Sequence, residues 1–504
     1  MKEYDAIVVG SGNSGLISAL SLLNEGNKVL LLEANNNIGG LSRGIVKGKF
    51  EFESSIHNLY LKNGNNSYKI DNIFKKLDIE DEIRFSSLPE VAKIITPDNS
   101  YTIPFGVDNF IEKMDEWFIG CRESVNVFFD LARECREALD YVVNNLDKLD
   151  YDKIKEKYNN FMRISNNSVS KVLDAINMPL NAQELINSLW MYFGSTETEI
   201  SFVEYSVFLL NVLECGLQVP NDRSYGVSLT IANRFLEKGG EIRLNNEVAN
   251  LVIEDGKVNG VRLTDGTLIY ADKVVVNSSL HNVYGNLINP EDVPRKALKN
   301  VNKREIGART LTVHLGLNRS ASDLKLYNYS YILLDSLDSD AEYTKMLQVS
   351  NNNQIAIVHN NAINNVSPNG TCMISLTTMF FEDAFGEYIT EEKYHTLVDD
   401  IVTHLIDIFQ KRTGVIIQDY IEEIHVVTPL DYASISKVPS GSIFGYRLKG
   451  LDNLLPRLLN RHNENYIDGL TLCGGFDGDA FAYNSSLVSG IMASDDLLKN
   501  EGEK

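Results

Sequence analysis

The stretch Ala6-Ile7-Val8-Val9-Gly10-Ser11-Gly12-Asn13-Ser14-Gly15-Leu16, continued by Lys28-Val29-Leu30-Leu31-Leu32-Glu33-Ala34, decides the fold. Four apolar residues predict a short buried strand. A Gly-x-Gly-x-x-Gly turn follows, then a helix from Leu16 to Asn24 that Gly26 stops, then a second apolar strand from Lys28 to Leu32. Strand, glycine turn, helix and strand within about 30 residues make a βαβ unit with a parallel strand pair. Each glycine has its own duty. Gly10 permits the tight turn, Gly12 lets the backbone approach a pyrophosphate at the positive end of the helix, and Gly15 lets helix and strand pack closely. Glu33 ends the second strand, where a carboxylate accepts from ribose hydroxyls and repels a 2′-phosphate. The unit predicts a bound dinucleotide.

Outward from this unit lies Ile38-Gly39-Gly40-Leu41-Ser42-Arg43. Here the chain resembles the flavoprotein family of amine oxidases and phytoene desaturases, which follow the first glycine motif with a Gly-Gly doublet and an Arg. That resemblance implies FAD, with Glu33 and Ala34 at the ribose, Gly39, Gly40, Leu41 and Ser42 along the pyrophosphate, and Arg43 meeting its charge. Phe50-Glu51-Phe52-Glu53-Ser54-Ser55-Ile56-His57-Asn58-Leu59-Tyr60 is similar to the F-D-x-G-x-H-Y segment of retinol saturases and carotenoid isomerases. Ser55 replaces the usual Gly, Asn58 stands where an aromatic is common, and His57 matches the family histidine. By that resemblance His57 lies near flavin and substrate and is the candidate catalytic residue, as positioner or proton donor; a histidine satisfied in the core is the competing reading.

Two further segments extend the resemblance. Asn221-Asp222-Arg223-Ser224-Tyr225-Gly226, then Gly239-Gly240-Glu241-Ile242 and Asn245-Asn246-Glu247-Val248, are close to the family's middle signature, which implies that the Val248 backbone touches the adenine end of FAD. Gly469 to Asp479, then Tyr483-Asn484-Ser485-Ser486, is similar to the C-terminal flavin segment, which implies cofactor contacts from Gly474, Gly475, Phe476, Asp477, Tyr483, Asn484 and Ser485. A helix capped by Asn484 or Ser485 would aim its positive end at the flavin. Gly475 stands where the amine-oxidase branch carries an Asp, which favours the carotenoid branch.

Composition sets the outer bounds. The chain has 504 residues, 43% hydrophobic and 23% charged, with a formal net charge of −22. An acidic surface argues against nucleic acid and against electrostatic docking on anionic lipid. The five cysteines, Cys121, Cys135, Cys215, Cys372 and Cys473, are far apart and form no C-x-x-C, which suits reduced thiols and gives no metal site. No signal peptide and no transmembrane helix are expected, so the expected location is cytoplasmic, with peripheral membrane contact through an apolar rim left open.

The predicted fold class is α/β: a discontinuous, glutathione reductase-type FAD domain from residues 1–105, 225–290 and 460–504. A substrate domain is inserted, comprising a helical region, 106–224, and a sheet region, 291–459. Amphipathic stretches predict helices over Val107–Phe118, Ser124–Leu146 and Asn181–Phe193. Runs of β-branched residues predict strands over Arg309–Leu317, Ile355–His359 and Met373–Phe381, followed by a helix from Glu391 to Gln410. The expected function is FAD-dependent chemistry on C–C or C=C bonds of an apolar polyene, isoprenoid or unsaturated lipid, with non-covalent FAD, no NAD(P) domain, and an electron partner the sequence does not name. The alternatives are an amine oxidase, for which paired aromatics would face the flavin, a redox-neutral isomerase, and a non-catalytic flavin-binding protein.

Overall fold

The computed structural model describes residues 3–54, 58–61, 68–382, 384, 391–443, 445–461, 466–475 and 482–502. Ala6–Val9 is the central strand of a five-stranded parallel sheet, ordered Leu470–Leu472, Lys273–Val276, Ala6–Val9, Val29–Leu32, Glu241–Arg243. Ala6 sits beside Lys273 on one side and Val29 on the other. Ile7, Val8, Leu30 and Leu31 are fully buried, as expected of parallel strands covered on both faces. One face is covered by the helix Asn13–Asn24, which packs on Ala482–Gly502 and Arg223–Glu237. The other face meets an antiparallel sheet of Val248–Glu254, Lys257–Leu263 and Leu268–Tyr270 through Ile7, Leu30, Val248 and Val261.

A seven-stranded sheet forms the second layer system, in the order Ile421–Val427, Arg309–Leu317, Cys372–Phe380, Gln354–His359, Ser330–Leu333, Ala92–Ile95, Ser100–Ile103. All neighbours are antiparallel except Ser330–Leu333 and Ala92–Ile95. The strands Ala92–Ile95 and Ser100–Ile103 therefore pair with the substrate-side sheet, although the expected division kept everything to residue 105 in the nucleotide-binding piece. Hydrogen bonds to Ser330–Leu333 draw them there, and strand pairing across some 240 residues leaves no local signal.

One face of this sheet packs on the helix Glu391–Thr413 through Leu311, Val313, Leu315, Ile374 and Leu376. The opposite face looks toward the helical region, built from Val107–Trp117, Arg122–Asn144, Phe202–Cys215 and shorter helices. The predicted single helix Asn181–Phe193 is broken. Leu180–Ile186 is α-helical and Trp190–Tyr192 forms a separate 3₁₀ turn. At the break the Ser188 hydroxyl donates to the Leu185 carbonyl at 2.6 Å, the local bonding by which serine competes with a helix. Among the described residues no helix is long and apolar enough to cross a membrane.

Candidate functional site

The glycine turn, the Gly39–Ser42 turn and the Gly474–Gly475 turn meet at the edge of the parallel sheet where its strands end. A cavity of about 930 Å³ opens there and runs on to the seven-stranded sheet. Its wall contains Gly10, Gly12, Asn13, Ser14, Glu33, Ala34, Gly39, Gly40, Leu41, Ser42, Val248, Gly474, Gly475, Tyr483, Asn484 and Ser485, predicted cofactor residues from six separate segments. Gly15 is not in the wall. It packs the helix on the strand: a Cβ there would collide with the Gly10 carbonyl. Arg43 follows Ser42 half-buried and is not part of the wall either. His57, Phe476 and Asp477 lie outside the described residues.

The dinucleotide end offers an anionic ligand the N-terminus of a helix. The helix Asn13–Asn24 begins after Gly12 with no side-chain cap and no acidic residue in its first turn, so its N–H groups are available to a pyrophosphate. Glu33 is buried. One carboxylate oxygen accepts from the Ser11 N–H at 2.9 Å and the Ser11 hydroxyl at 2.5 Å; the other accepts from the Asn35 N–H and amide at 2.9 and 2.8 Å. The Asn246 N–H bonds the Glu33 carbonyl at 2.8 Å, which brings the Val248 strand alongside. Asn13 ties the turn together, accepting from Ser228 at 2.6 Å and donating to Ser42 at 2.9 Å.

The C-terminal helix starts at Ala482, two residues before the predicted cap. Asn484 and Ser485 therefore occupy its first turn, and Asn484 donates to the Tyr60 carbonyl at 2.8 Å. Ala482 and Tyr483 tolerate helical geometry, so the helix extends back through them.

Sequence reasoning missed Asn277. It follows the buried Lys273–Val276 strand and donates from its side chain to the Cys473 carbonyl at 3.0 Å. At Gly10, φ +94°, a Cβ would stand 2.7 Å from the Asn277 carbonyl, and at Gly12 and Gly474 it would strike the Asn277 side chain. The glycines thus let three loops close around one amide. An Asn ending an apolar strand beside a glycine loop, at a switch point of a parallel sheet, is the available signal.

Farther from the glycine turns the cavity is apolar and aromatic. Leu189, Tyr192, Phe193, Val207, Phe208 and Val212 form its roof, and Asn58 and Tyr60 its side. Rings meet edge-on or tilted: Tyr60 on Phe208 at 65°, Tyr192 on Phe208 at 43° and Phe193 on Phe208 at 89°. Desolvation pushes the Tyr60 hydroxyl up to about 12 and raises Tyr192 as well. The floor is the inner face of the seven-stranded sheet, with Thr310, Thr312, Thr377, Ile355 and Met379. Among the described residues the wall's cations are each paired with an acid: Arg136 with Glu214 at 2.6 Å, Lys437 with Glu247 at 3.7 Å, Arg461 with Asp496 at 2.9 Å.

Beyond the floor the same sheet face carries imidazoles. His314 is fully buried, with Nδ1 2.9 Å from the Ser375 hydroxyl, and its ring stacks on Phe52 and His425. Burial first, then the neighbouring His425 and His359, hold it down at about 3, so it is neutral. Burial lowers His359 and His425 too.

Fold and site define a flavoprotein with a dinucleotide-binding sheet and a separate substrate-facing sheet. A model described as flavin containing amine oxidoreductase matches residues 13–498, and the chain belongs to that family; its cofactor is FAD. The chain is 26% identical over 339 residues to prolycopene isomerase 2, chloroplastic, of an Oncidium hybrid cultivar, covering 63% of this chain and 55% of that one. It is 24% identical over 330 residues to a 4,4′-diapophytoene desaturase (4,4′-diapolycopene-forming) of Methylomonas sp, covering 62% and 61%. The chain thus spans less than two thirds of the length of these curated relatives. A crystal structure of an oxidoreductase from Methanosarcina mazei shares the fold, with TM-score 0.64, 16% identity and coverage of 98% and 100%.

Proposed function

We propose that the protein is an FAD-dependent oxidoreductase acting on C–C or C=C bonds of an apolar polyene, isoprenoid or unsaturated lipid. One observation carries this reading: the cavity that begins at the glycine turns continues into an aromatic and aliphatic chamber whose cations, among the described residues, are each paired with an acid. A phosphorylated or polycarboxylate substrate would need unpaired Arg or Lys there. An extended hydrocarbon needs none, since each buried CH₂ contributes about 0.8 kcal/mol. The similarity to an isomerase and a desaturase of polyenes supports the same class. FAD supplies hydride chemistry when bound. The chain's own residues would do the rest. The two helix N-termini and Glu33 would hold the cofactor, while Phe193, Phe208 and Leu189 would shed water and align the chain.

Residues 1–105, 225–290 and 460–504, less the two sheet strands before 105, would then be the FAD-binding unit, with the remainder choosing the substrate. His57 is our candidate for a residue facing the substrate. His57→Ala is expected to keep FAD and stability and to lower turnover by about 10²–10⁴ if it transfers protons. A lower melting temperature with unchanged activity per folded molecule would make it a core residue. Flavin quenching by fatty acids, retinoids and carotenoids, beside polyamines and amino acids, tests the class. Saturable quenching by apolar ligands alone is expected. Reduction by a small amine, with no response to any apolar ligand, would establish the amine oxidase instead. The tilted ring contacts give that alternative no stacked aromatic pair in the chamber among the described residues.

A further inference from the structure

The helix Arg295–Lys303 turns a cationic face to solvent, in a chain whose formal net charge is −22. Its inner side, Ala297, Asn300 and Val301, is buried, and Ala297 and Val301 pack in the same apolar cluster as Tyr284 and Leu287. Its outer side presents Arg295, Lys296, Lys299 and Lys303, all exposed, and beside them Leu298, 42% exposed. At about 3.6 residues per turn the four cations fall within roughly 100° of the helix circumference. The helix carries no acid, and among the described residues none of the four cationic side chains takes part in an ion pair or hydrogen bond.

This arrangement works against the helix. Arg295 with Lys299, and Lys299 with Lys303, are like charges one turn apart, a destabilising spacing. Arg295 and Lys296 also stand in the first turn, where the helix dipole favours acids. Elsewhere the chain pairs such helical cations: Lys113 with Glu116 at 2.6 Å, Arg133 with Asp130 at 3.0 Å and Lys345 with Glu342 at 3.0 Å. Of the acids that flank this helix, Asp292 accepts from the Asn289 side chain at 3.4 Å and Glu305 pairs with Lys449 at 3.3 Å. Among the described residues that leaves Glu291, before the helix, to offset four cations.

We propose that this helix face docks the protein on an anionic lipid surface, with the cations on headgroup phosphates and Leu298 entering the headgroup boundary. Charge complementarity selects a polyanion. The exposed leucine beside the cations selects a bilayer, since a basic helix face with an apolar neighbour is the form that lies in a membrane interface. The net charge, which argues against electrostatic docking on lipid, is an average over the whole surface. At about 0.15 M ionic strength charges farther than about 8 Å are screened, so the bilayer meets the local patch, and the acidic remainder decides which face is presented. The contact stands apart from the substrate reading, because it involves no residue of the chamber.

Sedimentation of the FAD-loaded protein with lipid vesicles tests this without turnover. At low salt the wild-type protein should partition at least about tenfold more strongly onto phosphatidylcholine vesicles with about 30% phosphatidylglycerol than onto phosphatidylcholine alone, and about 0.5 M salt should release it. Lys296→Glu with Lys299→Glu should bring partitioning down to the level of neutral vesicles. The same variant should keep its FAD and melt at the same temperature or higher, because the like-charge pairs are gone and the first turn gains an acid. Leu298→Ser should weaken binding about threefold at unchanged charge. Equal partitioning of the wild type onto both vesicles overturns the inference, and so does anionic-vesicle binding that the double reversal leaves intact. A lower melting temperature in the double reversal overturns it by making the lysines structural. Unchanged binding by Leu298→Ser overturns the part given to the leucine. Salt-sensitive capture by poly-glutamate or heparin, with none by vesicles, overturns the lipid in favour of a soluble polyanion. Each of these outcomes leaves the substrate reading where it stands.

Discussion

The two faces of the seven-stranded sheet are both buried and yet are built from different chemistry. On the outer face Leu311, Val313, Leu315 and Leu317 of one strand meet Ile374 and Leu376 of the next, under Leu405 and Phe409 of the covering helix. On the inner face the same two strands present Thr310, Thr312 and His314 opposite Met379, Thr377 and Ser375. A strand covered on both sides normally reads as a continuous apolar run. Here alternation persists without solvent to explain it. The outer face is a continuous hydrocarbon layer under the covering helix, and the inner face carries hydroxyls and imidazoles, with Thr310, Thr312 and Thr377 in the cavity wall.

The sharpest way to break the contrast is to put a charge on the outer face. Val313→Asp should cost about 4 kcal/mol or more and abolish soluble folded protein, because no partner for the carboxylate exists among those hydrocarbons. Soluble yield and circular dichroism measure it. Next, Leu405→Ala should cost about 2–5 kcal/mol through the cavity it leaves, seen as a lower melting temperature with FAD retained.

The inner face should respond to pH. His314 is neutral when folded, at about 3, and takes a proton near its ordinary value once unfolded. The unfolded chain therefore binds more protons below about pH 6.5, and stability falls as pH drops from there toward 3, by about 1.4 kcal/mol per unit from this residue. The paired change His314→Leu with Ser375→Ala removes both bonded partners. It should flatten that slope in urea titrations between pH 7 and 5, with His359 and His425 supplying what remains. A slope unchanged by the pair would show that His314 is not the acid-sensitive group. Smallest of all, Thr377→Val should cost about 1–2 kcal/mol, since the shape is kept but the buried Thr312 hydroxyl loses its 3.0 Å partner. A loss of several kcal/mol in the same melts would make the floor part of the structural core.

Legibility in the sequence divides along similar lines. The glycine turn, Glu33 and the Gly39–Gly40 doublet were readable because each is a local pattern with a local physical cause, and all of them but Gly15 line the cavity wall. The strands Arg309–Leu317 and Cys372–Phe380 were readable from β-branched runs. Their inner-face threonines were not, because a buried Thr and an exposed Thr look alike in a strand. Asn277 escaped for another reason: its role comes from strands brought together from residues 9, 276 and 472, which no window of sequence contains. The break at Ser188 was hidden by a helical spacing of Leu185, Leu189 and Tyr192 that is equally satisfied by a helix and a following 3₁₀ turn.

The parallel sheet has a consequence for how the protein is made. Val9 pairs with Val276, and Val276 with Leu472, while the first helix packs on the helix Ala482–Gly502. During synthesis the ribosome would deliver the glycine turn on the order of half a minute to a minute and a half before the strand that completes its cradle. Through that interval the nascent chain holds a half-built nucleotide site and an unpaired, strongly apolar strand edge. If this site holds the FAD, cofactor capture would be a late event, and flavin colour in the folded protein would report that both distant ends of the chain have found each other.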